Sequence, residues 1–412
     1  MTTRVPRSRY TSPEWASREL ERMWPRVWQV ACTLDHVSDA GDVFEYRCGP
    51  LSVLVVRGDD GELRAFQNTC RHRGNAICEG AHQGLTELRC PFHRWSWDLA
   101  GELREVPYRK LFGSVSNDEL PLAAVQVDTW GPLVFVNLDT SPASVSLAEY
   151  LAPMPDDIAW AGADDFRCVA TVTVPVRANW KVICDGFSET YHVQGIHPEL
   201  NPTMDDTIPQ RVWEHVGCSQ QDYGVANPRL ATRPTDEDVW RSFVVTQGAR
   251  AGYAEDAPFP GGDVAEVLAE GIRKVQAQQG VDLTGFTTQQ LLRLNQYNVF
   301  PNVTILVQPD LVSVLAGRPG REPDASPDDG EFVFFHFQRV APGGPRMRPV
   351  DVSMPRGQAD VGLVLNQDFG VMESMQRGLH QPGVHDMVVS EFECRLLNTH
   401  RNLERYVGST AD

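Results

Sequence analysis

The chain has 412 residues, more than one hydrophobic core usually holds, so we expect two domains. Its formal net charge of −18 argues against nucleic acid as a partner, because phosphate binding requires a basic surface. The longest apolar runs have the length of a strand, which predicts no membrane span, and the N-terminus lacks an apolar signal segment. Nine cysteines without a secretion signal favour a reducing compartment, so we expect a cytoplasmic protein.

The predicted secondary structure changes character along the chain. Residues 14–29 predict an amphipathic helix, because their apolar side chains recur at helical spacing. From about 41 to 140 the period falls to two and turn residues are frequent, which predicts a small antiparallel β-domain. Residues 141–165 are rich in Ser, Pro, Ala and Asp and predict a connection. Beyond it we predict helices over 180–193, 264–278, 287–294, 363–378 and 384–406, and strands over 166–176, 304–315 and 331–340.

The second region mixes helices and strands without a βαβ rhythm, which is typical of an α+β domain. We therefore place the small β-domain at 41–155 and assign 1–40 and 156–412 to the larger domain. No Gly-rich nucleotide loop precedes a helix, so we expect hydride chemistry to lie in another protein.

Two short motifs predict a metal centre in the β-domain. Cys70 and His72 form one pair, and Cys90 and His93 form another after seventeen intervening residues. Each pair sits at a turn between predicted strands, so two loop tips could hold one centre between them. Two thiolates on one iron and two imidazoles on the other would suit a [2Fe–2S] cluster of raised potential.

Two alternatives remain for these four residues. Zinc also binds two Cys and two His, but its usual spacing pairs Cys with Cys and His with His. A disulfide between Cys70 and Cys90 would leave both His residues without a role and would conflict with a reducing compartment.

The segment around residue 190 predicts a second metal site. Glu189 and His192 are three residues apart and share a face of a helix, whereas His192 and His197 are five apart and do not. Gly195 and Pro198 supply the break that would bring both imidazoles to one point. Two His residues make an incomplete site, so a further ligand must come from elsewhere in the chain.

The Cys-x-His and Cys-x2-His motifs resemble those of the Rieske ferredoxin domain. With Asn179-Trp180-Lys181 and Glu189-x2-His192-x4-His197, nearly the whole chain resembles the large (α) subunit of Rieske non-haem iron ring-hydroxylating oxygenases. The resemblance implies an α+β protein with a small antiparallel β Rieske domain. It also implies a larger, helix-grip-like α+β catalytic domain with an antiparallel sheet.

The resemblance implies that His192, His197 and Asp368 bind Fe(II) and leave coordination positions open for O2. Asp368 is expected in the penultimate helix; local sequence alone indicates an ordinary helix-start Asp, and Glu373 is the alternative ligand. Glu189 matches the carboxylate that links the iron His of one subunit to a Rieske His of the next. The expected assembly is therefore a homotrimer, with a possible separate β subunit.

The substrate pocket is predicted from position alone, and core packing is the alternative for each of its members. Gly186 stands where the family often has Asn, which would enlarge the pocket or change how product is held. The pocket candidates are Gly186, Phe187, Val193, Tyr297, Phe300 and Val364.

The expected activity is that of a terminal oxygenase component, which uses O2 and electrons from a separate reductase or ferredoxin. NAD(P)H would enter only through that partner. We expect cis-dihydroxylation of an aromatic or other hydrophobic organic substrate, with monooxygenation or oxidative demethylation as the alternative. An electron carrier with a non-catalytic second domain is the other hypothesis, which the intact Glu-x2-His-x4-His motif argues against.

Overall fold

The computed structural model describes residues 3–114, 116–205, 207–322, 325–358 and 360–408. Its strands up to residue 137 are β1 Thr3–Pro6, β2 Gln29–Thr33, β3 Val43–Cys48, β4 Leu51–Arg57, β5 Leu63–Gln67, β6 Ala81–His82, β7 Leu88–Arg89, β8 Ser96–Trp97, β9 Leu103–Glu105, β10 Ala124–Trp130 and β11 Leu133–Asn137. The later strands are β12 Phe166–Val176, β13 Gln210–Val212, β14 Val216–Asp222, β15 Arg293–Val299, β16 Val303–Val307, β17 Leu311–Pro319, β18 Gly330–Arg339, β19 Val350–Ser353 and β20 Asp386–Val389. The α-helices are α1 Ser8–Thr11, α2 Pro13–Arg22, α3 Leu147–Leu151, α4 Met154–Asp157, α5 Trp180–Asp185, α6 Val193–Ile196, α7 Asp236–Gln247, α8 Val264–Gln278, α9 Thr288–Leu292, α10 Leu363–Leu379 and α11 Cys394–Val407.

The N-terminal third forms an antiparallel sheet in the order β2-β11-β10-β5-β4-β3-β6. The segment between β6 and β10 forms a smaller sheet in the order β7-β8-β9. The loop after β5 and the loop between β7 and β8 carry the two Cys/His pairs. Strand β2 joins the larger sheet through β11, so the sheet begins before residue 41. The boundaries 41–155, 1–40 and 156–412 stay a prediction.

The C-terminal region is built on an eight-stranded sheet in the order β13-β14-β15-β16-β17-β18-β12-β19. Its pairs are antiparallel except at one edge, where β19 runs parallel to β12. Helix α5 packs against β17 and β18, and α10 packs against α5 and β12. The α+β class with a small antiparallel β-domain and an antiparallel catalytic sheet is confirmed.

A buried ion pair fixes α5 to the N-terminal helix α2. Lys181 Nζ lies 2.6 Å from Glu19 Oε1, and both side chains are almost fully buried. The indoles of Trp15 and Trp180 donate to the same carboxylate at 2.7 and 3.0 Å. Because burial lowers the pKa of Lys181, the charged ammonium depends on Glu19 to stay ionised. This contact sets the position of the helix that leads into the Glu189–His197 segment.

Several predicted elements are divided in the structure. The helix expected over 14–29 is α2, which ends at Arg22 because Pro25 cannot continue it, and a 3₁₀ turn follows. The helix expected over 180–193 ends at Asp185, before a turn and the separate α6.

The C-terminal half shows two similar corrections. The strand expected over 304–315 is a hairpin, because Pro309 lies in a turn between β16 and β17. The helix expected over 384–406 is not continuous. Its first part forms strand β20, and helix α11 begins only at Cys394. Helix α7 and strands β13 to β15 were not predicted as such.

Candidate metal centres and active-site cavity

The two Cys/His loops close in the same way. The N–H of Gly74 donates to the carbonyl of Cys70 at 2.9 Å, and the N–H of Arg94 donates to that of Cys90 at 3.1 Å. Both donors have positive φ, +78° for Gly74 and +64° for Arg94, which tightens each loop. Each Cys is therefore held in a compact turn that fixes the direction of its side chain.

The four side chains of these loops converge. The Cys70 and Cys90 thiols are buried and within hydrogen-bonding reach of each other, and burial raises the pKa of Cys70. The rings of His72 and His93 lie 4.7 Å apart between centroids. His72 also stacks on Trp95 at 5.0 Å with an interplanar angle of 7°.

The unpaired nitrogen of His72 fits a cluster ligand. Its Nδ1 is buried and has no hydrogen-bond partner among the described residues. Burial and the nearby His93 and Arg73 lower the pKa of His72, so the imidazole is neutral with a free lone pair. Two thiols and two imidazoles match the donor set of a [2Fe–2S] cluster.

The second constellation is built on the single turn of α6. His192 precedes Val193 and His197 follows Ile196, so one helical turn lies between the two ligand candidates. Their rings lie 5.3 Å apart between centroids at 76°. Pro198 follows directly, as expected for a chain that leaves the helix here.

Asp368 reaches this point from α10. Its Oδ1 lies 3.1 Å from Nε2 of His197 and 3.8 Å from Nε2 of His192. One donor atom from each of the three residues falls within 4.8 Å of the other two. Two imidazoles and a buried carboxylate are the donor set of a mononuclear Fe(II) site with open positions.

Glu373, the alternative ligand, lies elsewhere. It accepts hydrogen bonds from the backbone N–H of Arg177 at 3.1 Å and from Nε of Arg356 at 3.0 Å. Five residues beyond Asp368 on the same helix, it points about 140° away. The geometry therefore favours Asp368.

Hydrogen bonds to the Nδ1 atoms orient both imidazoles. Nδ1 of His192 lies 2.6 Å from Oε1 of Glu189. The other carboxylate oxygen of Glu189, Oε2, accepts a hydrogen bond from the backbone N–H of His192 at 3.1 Å. Nδ1 of His197 lies 2.7 Å from Oε1 of Gln367, and the Gln367 amide donates to Glu199 at 3.1 Å. If each Nδ1 carries the proton, each Nε2 presents a lone pair toward Asp368.

The same contacts explain the electrostatics of His197. Burial alone would lower its pKa, but the Asp368 carboxylate and the Gln367 amide together raise the pKa above its ordinary value. An anionic oxygen that faces two imidazoles attracts a cation, either a proton or a metal ion. The donor set therefore fits a divalent iron.

A cavity of about 270 Å³ opens beside this site. Strands β15 to β18 form one wall, and the segment from Gly186 to Met204 and the start of α10 form the other. The apolar residues that line it are Phe187, Val193, Leu200, Met204, Tyr223, Leu294, Leu306, Leu311, Leu315, Phe334, Val364 and Leu365. Such a lining excludes water from the metal site and suits an apolar substrate.

The structure places four of the six pocket candidates in this lining: Gly186, Phe187, Val193 and Val364. Tyr297 and Phe300 belong instead to the main hydrophobic core. Alternation along β15 turns Leu294 and Gln296 toward the cavity and Tyr297 to the other face of the sheet. The core-packing alternative therefore holds for Tyr297 and Phe300.

Sequence reasoning missed the residues that support the site. Gln367 is adjacent to Asp368, but nothing in its local sequence distinguishes it from an exposed helix residue. Tyr223, Gln247 and Gln308 also border the cavity. Tyr223 and Gln247 lie beside or on elements that the sequence did not predict, and Gln308 lies in a hairpin that the sequence predicted as a single strand. The apolar periodicity of the sequence therefore could not show that these residues border the cavity.

The family described as ring hydroxylating alpha subunit (catalytic domain) matches residues 163–409. The chain belongs to this family. A Rieske [2Fe–2S] domain matches residues 27–118, which decides for the cluster over zinc and over a disulfide. The chain thus combines a Rieske domain with the catalytic domain of a ring-hydroxylating alpha subunit, a domain typical of mononuclear iron.

Curated relatives share about half of their length with this chain. The glycine betaine monooxygenase oxygenase subunit of Chromohalobacter salexigens is 30% identical over 216 residues, which cover 50% of this chain and 46% of the relative. The chloroplastic choline monooxygenase of Atriplex hortensis is 31% identical over 204 residues, covering 48% and 46%. The carnitine monooxygenase oxygenase subunit of Escherichia coli K12 is 28% identical over 227 residues, covering 54% and 59%.

Solved structures share the fold over nearly the full length. A quaternary ammonium Rieske monooxygenase superposes with a TM-score of 0.70 at 16% identity, covering 98% of this chain and 95% of that one. Naphthalene 1,2-dioxygenase with indole bound superposes with a TM-score of 0.69 at 17% identity, covering 99% and 92%. Within the described ranges, no helix combines the length and apolarity needed to cross a bilayer.

Proposed function

We propose that this chain is the terminal oxygenase component of a multicomponent Rieske system that inserts one oxygen atom into a small organic substrate. The reaction would be a monooxygenation, which includes oxidative demethylation of an N- or O-methyl group. The observation that carries this choice is the similarity to three kinds of monooxygenase subunit, named for glycine betaine, choline and carnitine.

The same similarities weaken our expectation of aromatic cis-dihydroxylation. The likeness to naphthalene 1,2-dioxygenase is one of fold at 17% identity, so it does not favour an aromatic hydrocarbon as substrate. The metal ligands are the same for both reactions, which is why the motifs alone left the outcome open.

We assign the metal ligands by the geometry of the two sites. Cys70, His72, Cys90 and His93 would hold the [2Fe–2S] cluster, and His192, His197 and Asp368 would hold Fe(II). When bound, the iron supplies the activation of O2.

The protein's own groups would orient and shield the site. Glu189 and Gln367 hold the two imidazoles by their Nδ1 atoms. The apolar lining keeps water away from the reacting carbon.

Electrons would arrive from a separate reductase or ferredoxin, and Glu189 is our candidate for the link between subunits. Both of its carboxylate oxygens contact His192, and each can accept a further hydrogen bond, which suits a bridge from a neighbouring subunit's Rieske centre to the iron ligand. A homotrimer remains part of this proposal.

Isotope labelling tests the reaction type directly. The dithionite-reduced protein would be exposed to ¹⁸O₂ in a single turnover with choline, glycine betaine, L-carnitine, anisole and naphthalene. Monooxygenation predicts at most one labelled atom in each organic product, with formaldehyde released wherever a methyl group is removed. A cis-diol that carries two labelled atoms would contradict the proposal, and Asp368→Ala serves as the inactive control.

A further inference from the structure

One glutamine of the cavity lining has an amide without a partner. Gln308 is only 4% exposed, and its Nε2 makes no hydrogen bond to any described residue. Burying an N–H group without an acceptor costs free energy, so native structures rarely leave one unpaired. Because Gln308 also borders the cavity, a bound molecule can supply the missing acceptor.

The backbone fixes the place of this amide. The N–H of Gln308 donates to the carbonyl of Leu311 at 2.9 Å, and the N–H of Leu311 donates back at 3.3 Å, which closes the β16–β17 hairpin. The backbone is thus fixed, and only the side-chain amide can rotate. A rotation of 180° exchanges the positions of its N and O atoms. It can therefore present an N–H group to an occupant.

Gln308 marks one end of the cavity. Thr304, Leu306 and Gln308 line it at alternate positions, so Gln308 lies about 13 Å from Thr304 along the strand. At the Thr304 end, Asn298 bonds to Thr304 at 2.7 Å and holds the Phe187 carbonyl at 2.8 Å. Gln308 thus lies at the end opposite the Phe187 segment, and its amide presents the N–H to the cavity once it has turned.

A hydrogen-bonded cluster of polar side chains lies near this amide, and the charges within the cluster compensate each other. Arg250 forms two hydrogen bonds to Asp310, at 2.6 and 2.7 Å, so its charge is compensated. Arg250 also donates to Oε1 of Gln247 at 3.1 Å, and the Gln247 side chain bonds to the hydroxyl of Tyr223. Burial raises the pKa of Tyr223 to about 12, so this hydroxyl stays neutral.

The charged residues that line the cavity limit which class of substrate can bind there. Among the described residues that border the cavity, the carboxylates and imidazoles belong to Asp368, Glu189, His192 and His197, and neither Lys nor Arg is present. A substrate carboxylate at the Gln308 end would therefore lose its hydration without meeting a basic side chain. A neutral oxygen acceptor would lose less and would gain a hydrogen bond.

We propose that Gln308 anchors the substrate, and that the substrate is an uncharged, largely apolar molecule with a carbonyl, ether or hydroxyl oxygen at that end. The inference rests on the proposed function, since it names the substrate class of the same cavity. It separates this chain from enzymes that bind carboxylate-bearing quaternary ammonium compounds.

Calorimetric titration of the iron-loaded protein tests the anchor with four probes. Acetophenone carries a carbonyl, α-methylstyrene has the same shape without an acceptor, and benzoate and glycine betaine carry carboxylates. The variants are Gln308→Met and Gln308→Leu, which both lack a donor, and Gln308→Leu is the second variant should Gln308→Met fold poorly. Gln276→Met is the control, because Gln276 also has an unpaired amide oxygen but lies on α8 away from the cavity.

We expect the wild type and Gln276→Met to bind acetophenone about three- to tenfold more tightly than α-methylstyrene, the range of one neutral hydrogen bond. Both Gln308 variants should bind the two probes within about twofold, and the wild type should bind benzoate and glycine betaine at least about tenfold more weakly than acetophenone. A preference for acetophenone that survives in both variants, no preference in the wild type, or carboxylates bound as tightly as acetophenone would overturn the anchor.

The titration and the labelling experiment fail separately. A protein that prefers acetophenone through Gln308 but inserts no labelled oxygen keeps the anchor and loses the proposed function. A protein that inserts one labelled atom but shows no Gln308-dependent preference keeps the function and loses the anchor.

Discussion

Nε2 of His197 lies 3.1 Å from Oδ1 of Asp368, although 171 positions separate the two residues in the chain. The approach depends on α10 packing against α5, which leads into the His192–His197 turn. The Nδ1 atoms of the two imidazoles are already engaged by Glu189 and Gln367. The open side of the site is therefore the side that faces the cavity.

Gln367→Leu should weaken iron binding without disturbing the Rieske centre. The substitution removes the acceptor that orients His197, and losses of this kind typically cost about 10- to 100-fold in metal affinity. Iron retained against a chelator would be measured, with the visible spectrum of the cluster as internal reference. The control is Gln358→Leu, an exposed glutamine away from the site. Equal iron retention in Gln367→Leu and the control would contradict the orienting role.

Gly186→Asn should fold normally but change substrate binding. Gly186 has φ −58°, and a Cβ there would meet its nearest neighbours, the Ile183 carbonyl and Met372 Cε, at 3.7 Å. The added amide would place a polar group in an apolar part of the cavity. We expect a several-fold higher KM for apolar substrates with unchanged iron content, and Gly186→Ala as the milder control. Poor folding of both variants would show that the space is not available.

Glu19→Gln should destabilise the protein strongly. It leaves the buried ammonium of Lys181 without its counter-charge, and breaking a buried pair costs about 3–5 kcal/mol. The measurement is urea unfolding followed by far-UV circular dichroism. Glu21→Gln, an exposed change on the same helix, should be nearly neutral. Similar midpoints for the two variants would refute a structural role for the pair.

Asp185→Asn should gain stability relative to the wild type as pH rises. Burial raises the pKa of Asp185 to about 7, although Tyr10 donates to it at 2.5 Å. Between pH 4 and 7 the folded state holds a proton that the unfolded state has lost. Wild-type stability therefore falls through that window by up to about 1.4 kcal/mol per pH unit, and the asparagine removes this loss. Melting midpoints from pH 5 to 8 would show the difference widening, whereas a constant difference would contradict the raised pKa.

The sequence could predict the parts of the site that are local. Cys70 with His72, and His192 with His197, each lie within one turn or loop, so spacing alone places their side chains together. Asp368 could be reached only through the family resemblance, because nothing near it in sequence points to the His residues.

The remaining site residues depend on tertiary structure. Gln308 faces the cavity because Pro309 breaks an apolar run into a hairpin, and that run reads as one strand. Tyr297 was placed in the pocket because its strand was not predicted, so the face of the sheet it occupies could not be known. The sequence of strand β20 predicts helix as readily as strand, because its apolar residues fit both periods in so short a segment.

The assignment of the catalytic iron to Asp368 is tested most directly by the iron content of Asp368→Ala, measured beside its Rieske spectrum. We expect iron to fall from about three to about two atoms per chain, with the cluster's absorbance unchanged and turnover at least about 100-fold lower. Glu373→Ala, on the same helix, should keep all its iron and its activity. An Asp368→Ala protein that retains iron and turns over substrate like the wild type would contradict the assignment of the catalytic centre.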